Sequence, residues 1–355
     1  MSMTDAFPSL ALEPAHTRCL DIALSQSTQG GPAESNSSID FRADLLDLRT
    51  TGLMELAGRV ATAGIIHNMS LMGRYDAITG EIQQLDWDQS HVMHEANRST
   101  QGECCRDPMD RLHALVGTQL GQGFRSDLKQ CFGGPLGCTH INTLFQELSA
   151  AVGRRARLVR ENPDLAGPRV EGERLTRRSV YFDAFLPADT PRSSLKVRFT
   201  EAHYGRANPA GEERLQLHDE IRMGAEVELA GWQLAELRAQ VRQRSAPNFD
   251  DAPWIDRSEE LVDFSGRSLG GGMARYCNDR FGAAPEDACL LSSLLCLAPG
   301  MTQVGVALSN SLAPSPIARP QGSGSPLAGP GPCYMLRGDG PLARSIQSGH
   351  PPSED

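Results

Sequence analysis

Apolar and polar residues alternate over 53–63 and again over 65–75, the period-two pattern of half-buried strands. Glu81-Ile82-Gln83-Gln84-Leu85 predicts a third strand within 80–87. The period then lengthens. Asp107 can cap a helix and Pro108 suits its first turn, and Met109, Leu112, Val116 and Leu120 follow at helical spacing. Leu120-Gly121-Gln122-Gly123 breaks that pattern, and 124–132 predicts another short helix. Thr139 precedes a third, in which Ile141, Leu144, Phe145, Leu148 and Val152 make one apolar stripe. Further along, strands are predicted over 180–186, 195–200, 217–229 and 233–240, and helices near 258–269, 273–281 and 286–297. Strands followed by helices, twice over, predict an α+β protein with antiparallel sheet and helices on one face.

The same order of elements reflects a repeat in the residues themselves. Placing 117–133 over 266–282, a shift of 149, matches six of 17 positions: Gly117/Gly266, Leu120/Leu269, Gly121/Gly270, Gly123/Gly272, Phe132/Phe281 and Gly133/Gly282. Roughly one match is expected by chance. Upstream, Ile66-His67-Asn68-Met69 resembles Leu217-His218-Asp219-Glu220 at a shift of 151. The expected organisation is two tandem related modules, 39–152 and 179–308, joined by a basic linker over 153–178. The linker's arginines (Arg154, Arg155, Arg157, Arg160, Arg174, Arg177, Arg178) read as a solvated face. The Pro-, Gly- and Ser-rich ends, 1–38 and 309–355, have too little apolar surface to offset their ordering entropy and are expected to be disordered.

The 355 residues carry 34 Lys+Arg against 44 Asp+Glu, a net charge of −10, which argues against nucleic acid as a partner. No apolar run is expected to reach the ~18–20 residues of a membrane span. Nine cysteines form no regular framework, which predicts reduced thiols and a cytoplasmic setting. Assembly into a homo-oligomer is left open.

Candidate chemistry centres on Gly133-Gly134-Pro135-Leu136-Gly137-Cys138-Thr139-His140, a tight loop that delivers a thiol and an imidazole to a helix N-terminus. A thiol there can be acidified and a neutral imidazole is favoured over imidazolium. His91-Val92-Met93-His94 with Cys104-Cys105 offers zinc-ligand types, but the spacing matches no standard finger and adjacent cysteines chelate poorly. His67, Cys138 and His140 are a second candidate set if the fold gathers them. The expectation is no metal and no cofactor. Neither glycine cluster has the setting of a phosphate loop, and no His-Glu-x-x-His occurs.

His67-Asn68-Met69, the cysteines at 104 and 105, Leu115-Val116-Gly117, Gly121-Gln122-Gly123-Phe124 and Gly137-Cys138-Thr139-His140 occur in the order of one family. Over about 40–152 the chain resembles the uncharacterised, mainly bacterial family known only as domain of unknown function 2889, and over 178–305 it does so more weakly. That family usually has His-Asp-Met where this chain has His67-Asn68-Met69. The second copy has Glu286-Asp287-Ala288-Cys289 in place of Gly-Cys-Thr-His. The resemblance implies a shared fold and pocket, and no reaction.

By strand alternation His67 shares a face with Met69, Leu71 and Tyr75, and His218 shares one with Glu220 and Arg222. The first module is therefore expected to hold an apolar cavity around His67, with His140 and Cys138 at its mouth and Met69, Leu71, Tyr75, Trp87 and Phe124 as substrate-binding walls. The expected activity is redox-neutral acid–base chemistry (isomerase, cyclase, hydratase or lyase) on an apolar small molecule such as a terpenoid, steroid-like or acyl compound. His67 would be base or orienting group, His140 proton donor or electrophile, and Cys138 support or nucleophile. The rivals are a non-catalytic binder of a hydrophobic ligand or partner protein, and acyl transfer or hydrolysis through Cys138.

Overall fold

The computed structural model describes residues 14–27, 38–50, 54–56, 59–61, 63–98, 100–121, 123–166, 169–186, 191–206, 214–309, 333–342 and 344. Its strands are β1 (His16–Gln26), β2 (Ser38–Arg49), β3 (Met54–Leu56), β4 (Arg59–Ala61), β5 (Gly64–Asp76), β6 (Ile82–His91), β7 (Arg174–Phe185), β8 (Arg192–Gly205), β9 (Arg214–Glu228), β10 (Gln233–Ser245) and β11 (Ile255–Asp256). Nine of them form a single antiparallel sheet in the order β11-β10-β9-β8-β7-β1-β2-β5-β6, and β3 and β4 make a separate hairpin. The helices are α1 (Phe124–Phe132), α2 (Thr139–Glu161), α3 (Met273–Phe281), α4 (Ala288–Leu295) and α5 (Leu297–Ser309). The α+β class is as expected. Both halves of the chain contribute to one sheet, joined where β1 pairs with β7.

Strands β1 and β2 lie where the sequence reading places none. Residues 16–26 fall within the expected disordered N-terminus, yet β1 is paired along both edges, with β2 and with β7. Leu20, Ile22 and Leu24 alternate on its core face, as Phe41, Ala43 and Leu45 do on β2. Composition averaged over 38 residues hides this short period-two run. The expected strand over 53–63 is the small hairpin β3–β4.

The expected linker is also structured. Helix α2 continues through it to Glu161, a short 3-10 turn follows at Pro163–Leu165, and β7 starts at Arg174. Arg154, Arg155 and Arg178 are buried rather than solvated. Arg178 donates to Glu147 of α2 at 3.1 Å and to Glu201 of β8 at 3.0 Å. Arg154 reaches Asp219 of β9 at 2.6 Å and Glu201 at 3.2 Å. At the other end, residues 333–342 lie in the expected disordered tail but fold back, with Met335 and Leu342 in the core. The remainder of 1–38 and of 309–355 lies largely outside the described residues. Pro285–Val304, contrary to expectation, is long and apolar enough by length and composition to cross a membrane; 61% of it is buried, where α4 and α5 cover the sheet.

One face of the sheet carries the helices, and the other is polar. Helix α2 packs on β1, β2, β5 and β7, α4 on β8 and β9, and α5 on β1 and β7. On the open face, Ser179 and Arg177 bond Asp21, and Arg42 bonds Asp44. This is the usual division of an antiparallel sheet with one covered face.

Matching turns recur in the two halves. Gly123 (φ 96°) precedes α1 and Gly272 (φ 94°) precedes α3, both in the left-handed region that a side chain would strain. The Gly117 N–H donates to Ile82 O, and the Gly266 N–H to Leu234 O, each at 2.7–2.8 Å. The strand register, however, corrects the alignment at His67. His67 pairs with Asp47, and the residue paired with Glu201 at the corresponding place is Asp219, not His218. Bulges in β2–β5 and β5–β6 absorb the extra residue, and a slip of one residue turns a side chain to the opposite face. His218 accordingly lies half-buried beside Glu220 and Arg244.

Arg178 is the charge that holds the second half's carboxylates. Replacing it by Met is expected to leave Glu201 and Glu147 buried beside a missing cation and to lower unfolding free energy by about 3–5 kcal/mol, measured by urea denaturation. An unchanged midpoint would contradict this account.

Candidate functional site

The site is built around Asp47, a carboxylate with no exposed surface on the core face of β2. Such a charge must be paired, and Arg18 of β1 does so through two bonds, Nε to Oδ1 at 2.7 Å and Nη2 to Oδ2 at 3.0 Å. Arg18, Asp47 and His67 lie directly opposite one another across β1, β2 and β5, which is why their side chains emerge together beneath α2. His67 Nδ1 is 3.6 Å from Asp47 Oδ2, and His16 Nε2 is 3.4 Å from Oδ1.

The fourth member arrives from the loop before α2. Gly137 has no space for a Cβ, which would lie 2.2 Å from Phe132 O, so the loop turns tightly against the end of α1. Cys138 is the N-cap and Thr139 the first residue of the helix. His140 then enters the core, with Nε2 3.1 Å from Asp47 Oδ2 and its ring centroid 3.9 Å from that of His67. Its Nδ1 faces Cys138 Sγ at 3.6 Å, and its Nε2 also faces Gln303 Nε2 of α5 at 2.9 Å. Residues 333–342 close over the loop: the Tyr334 N–H donates to Gly137 O at 2.7 Å, and Arg337 pairs with Glu103 at 2.5 Å.

Electrostatics follow from this packing. Burial opposes the charge on Asp47, but Arg18, with the histidines around it, holds the carboxyl well below its ordinary range. Burial lowers His67 to about 3, with His140 beside it adding to the effect. Burial also lowers His140, against the pull of Asp47. Both imidazoles are thus neutral bases near pH 7. The expected acidified thiol is not found: burial pushes Cys138 up to about 12, outweighing the N–H groups of Ile141 and His140. Cys138 is therefore a protonated neighbour of His140 rather than a ready nucleophile.

The three candidate catalytic residues, His67, Cys138 and His140, are brought together. The expected walls are not. Met69 is two residues along β5 from His67 and buried beside Gln89. Leu71 and Tyr75 lie about 13 and 26 Å along the strand, and Tyr75 packs on Phe41. Phe124 packs on Phe145 inside the helical layer, and Trp87 meets His113 edge-on. What surrounds His67 and His140 is polar: Arg18, Asp47 and Gln303. His91, His94, Cys104 and Cys105 do not gather. His91 is exposed, Cys104 donates to Asp107 at 3.1 Å, and Cys105 is buried, its backbone N–H donating to His94 O at 3.1 Å. Among the described residues two groups have ligand atoms close enough to share an ion, Asp47–His67–His140 and Glu201–Asp219–Cys289, the atoms of each lying within 4.8 Å of one another.

Arg18, Asp47 and Gln303 belong to the cluster and were missed by sequence reasoning. The signal for the first two is a charge at the inward parity of an alternating run: Arg18 before Leu20-Ile22-Leu24 positions, and Asp47 after Phe41, Ala43 and Leu45.

Two measurements follow. A histidine held neutral in the fold but free to protonate when unfolded binds fewer protons in the native state. Stability is therefore full above the unfolded pKa of about 6.5 and falls as pH drops toward the folded value, by up to ~1.4 kcal/mol per pH unit per histidine. Urea midpoints taken from pH 7.5 to 4.5 are expected to fall, and His67→Gln to flatten the slope; a level profile would refute the assignment. In the native protein iodoacetamide is expected to modify the half-buried Cys104 and Cys131 while Cys138 reacts only as fast as the protein opens. First labelling at Cys138 would restore the nucleophile reading.

A solved structure titled "Crystal structure of lipopolysaccharide binding protein" is 8% identical to this chain, covering 80% of it and 77% of that chain with a TM-score of 0.12, too low to inform the fold. No curated protein matches. The family match begins at β1, which the sequence reading left outside, and includes none of residues 178–305. Residues 16–153 match the family described as "Protein of unknown function (DUF2889)".

Proposed function

We propose that the chain is a redox-neutral acid–base enzyme, of isomerase, cyclase, hydratase or lyase type, acting on a small molecule at the Asp47–His67–His140 cluster. The observation that carries this reading is the convergence of two neutral imidazoles, 3.9 Å apart between ring centroids, on one buried carboxylate. Structural cores satisfy a carboxylate with one guanidinium, as Arg18 already does. Two further bases are what proton transfer needs. Asp47 orients His140 and steadies any proton that it gains, in the manner of an aspartate behind a catalytic histidine. His67 is the second base, and Cys138 is a positioning group on the far nitrogen of His140. An apolar substrate (terpenoid, steroid-like or acyl) is the class proposed; Leu45 and Met69, both fully buried, lie next to the polar cluster along β2 and β5. The two halves are proposed to be diverged copies of one unit, the second without the histidine pair.

A non-catalytic ligand-holding protein is the second reading. It is favoured by depth, since His67 and His140 are only 4% and 9% exposed.

The test is protein added to a small-molecule extract in heavy water, followed by mass spectrometry. Wild type is expected to deplete a compound, or to load it with deuterium, and His140→Gln to lose at least about 100-fold of that rate. A compound retained unaltered by both proteins would establish the binding reading instead.

A further inference from the structure

We propose that Asp47 Oδ2, His67 Nδ1 and His140 Nε2 bind one divalent transition-metal ion, zinc in the first instance, with the Gln303 amide at the edge of the site. The inference rests on the reading of this cluster as a catalytic centre and deepens it by making an ion-bound water, rather than the lone pairs of His67 and His140, the group that would exchange protons.

The first argument is spacing. Ligand atoms about 2.0–2.2 Å from a tetrahedral ion stand about 3.3–3.6 Å from one another. Asp47 Oδ2 lies 3.1 Å from His140 Nε2 and 3.6 Å from His67 Nδ1. The longer separation is too great for a hydrogen bond. His67 Nδ1 is in fact buried with no hydrogen-bond partner, although its ring is turned toward the carboxylate.

The second argument is proton bookkeeping at His140. Its Nε2 must carry a hydrogen to bond Asp47 Oδ2, and must lack one to accept from the Gln303 amide nitrogen 2.9 Å away. With the Gln303 amide nitrogen on this side no single tautomer serves both contacts, and turning the amide would let one Nε2–H be shared between two oxygens. An ion accepts the lone pairs of carboxylate and imidazole together, and rotation of the Gln303 amide then presents its oxygen. The proton moves to Nδ1, where Cys138 Sγ at 3.6 Å is the outer partner. Arg18 occupies one lone-pair side of each Asp47 oxygen, and a carboxylate has about four such positions in all.

The third argument is a comparison within the molecule. The line Arg18–Asp47–His67 across β1, β2 and β5 has a counterpart in Arg178–Glu201–Asp219 across β7, β8 and β9. Cys289 stands 149 residues after His140, and Gln303 stands 149 after Arg154. In the second cluster the Arg154 guanidinium lies among the ligand atoms, on Asp219 at 2.6 Å and on Glu201 at 3.2 Å. That cluster therefore has its own protein cation and carries no metal proposal. In the first cluster the corresponding residue is neutral, and the groups facing it are two uncharged nitrogen bases and a carboxylate. These are donors suited to zinc or a related ion. A bound metal would supply water of lowered pKa, favouring the hydratase or lyase branch of the reaction classes.

The test uses full-length protein, stripped with a chelator and shown to be folded by circular dichroism, and titrated with Co²⁺ alone. One equivalent is expected to produce the visible absorption of a low-coordinate nitrogen–oxygen site, and one equivalent of Zn²⁺ to abolish it. Folded His67→Gln is expected to lose the band and His218→Gln to keep it. The proposal is overturned if folded wild type gives no stoichiometric band and retains no Zn²⁺, or if the band persists in His67→Gln. Metabolite turnover by metal-free protein that binds neither ion would remove the metal and leave the acid–base reading standing. A stoichiometric band with no metabolite altered would support the metal and remove the catalytic reading.

Discussion

A carboxylate without water must be met by a cation, and in this fold that requirement falls on Asp47 and Arg18. Leaving such a charge buried alone costs about 3–5 kcal/mol, a large part of a domain's stability. Arg18 comes from β1 and Asp47 from β2, so the bond fixes which strands are neighbours as well as which faces point inward. Once that pairing is set, His67 follows from the register of β5, and α2 must enter at an angle that admits His140. The loop before α2 is built to that need, with Gly137 pressed against Phe132.

The halves of the chain complete one another. Arg154 lies on α2 in the first half but neutralises Asp219 and Glu201 in the second. Gln303 lies on α5 in the second half but meets His140 in the first. Their sheets are likewise one, since an edge of β1 would be bare without β7. The family match ends at residue 153, one residue before Arg154 and well before β7. Residues 16–153 alone would expose the edge of β1 that β7 covers and would lack Gln303, which meets His140. The physical folding unit is therefore larger than the segment that the family defines.

How much of this was legible depended on whether the signal was local. Helices α1 and α3 begin and end where glycines break an apolar stripe, and both were read within their limits from Gly123, Gly133, Gly272 and Gly282. The Gly-Cys-Thr-His loop was legible because its constraint is a turn over a few residues. Strands β1 and β2 were not, because their burial depends on β7 and on helices more than a hundred residues away. Arg154 and Arg178 looked solvated for the same reason: a basic run reads as surface until its carboxylates, on β8, β9 and α2, are known, and Arg155 is held by the carbonyls of Leu165 and Leu175. The histidine cluster draws on β1, β2, β5, α2 and α5, so no spacing in the sequence spells it. The register at His67 failed more narrowly, through bulges that no residue type announces.

The two buried clusters show how one framework can hold either a structural or a chemical centre. In the second, three carboxyls share two guanidiniums: Glu201 and Asp219 are met by Arg178 and Arg154, Glu147 shares Arg178, and Cys289 leans on Glu201 at 3.4 Å. His203 Nε2 lies 3.5 Å from Glu201. In the first, a single guanidinium cancels a single carboxylate, His16 lies 3.4 Å from that carboxylate, and two further imidazoles are held neutral by burial. They cannot both become cations, since Asp47 is already matched and a further buried positive charge would lack a partner. Burial therefore does more than hide these rings; it keeps their lone pairs free. A neutral imidazole carries one hydrogen and one lone pair, so each ring can turn a donor toward Asp47 and keep a base on its other nitrogen. His140 Nε2 lies within such a bond at 3.1 Å, and His67 Nδ1 at 3.6 Å does not.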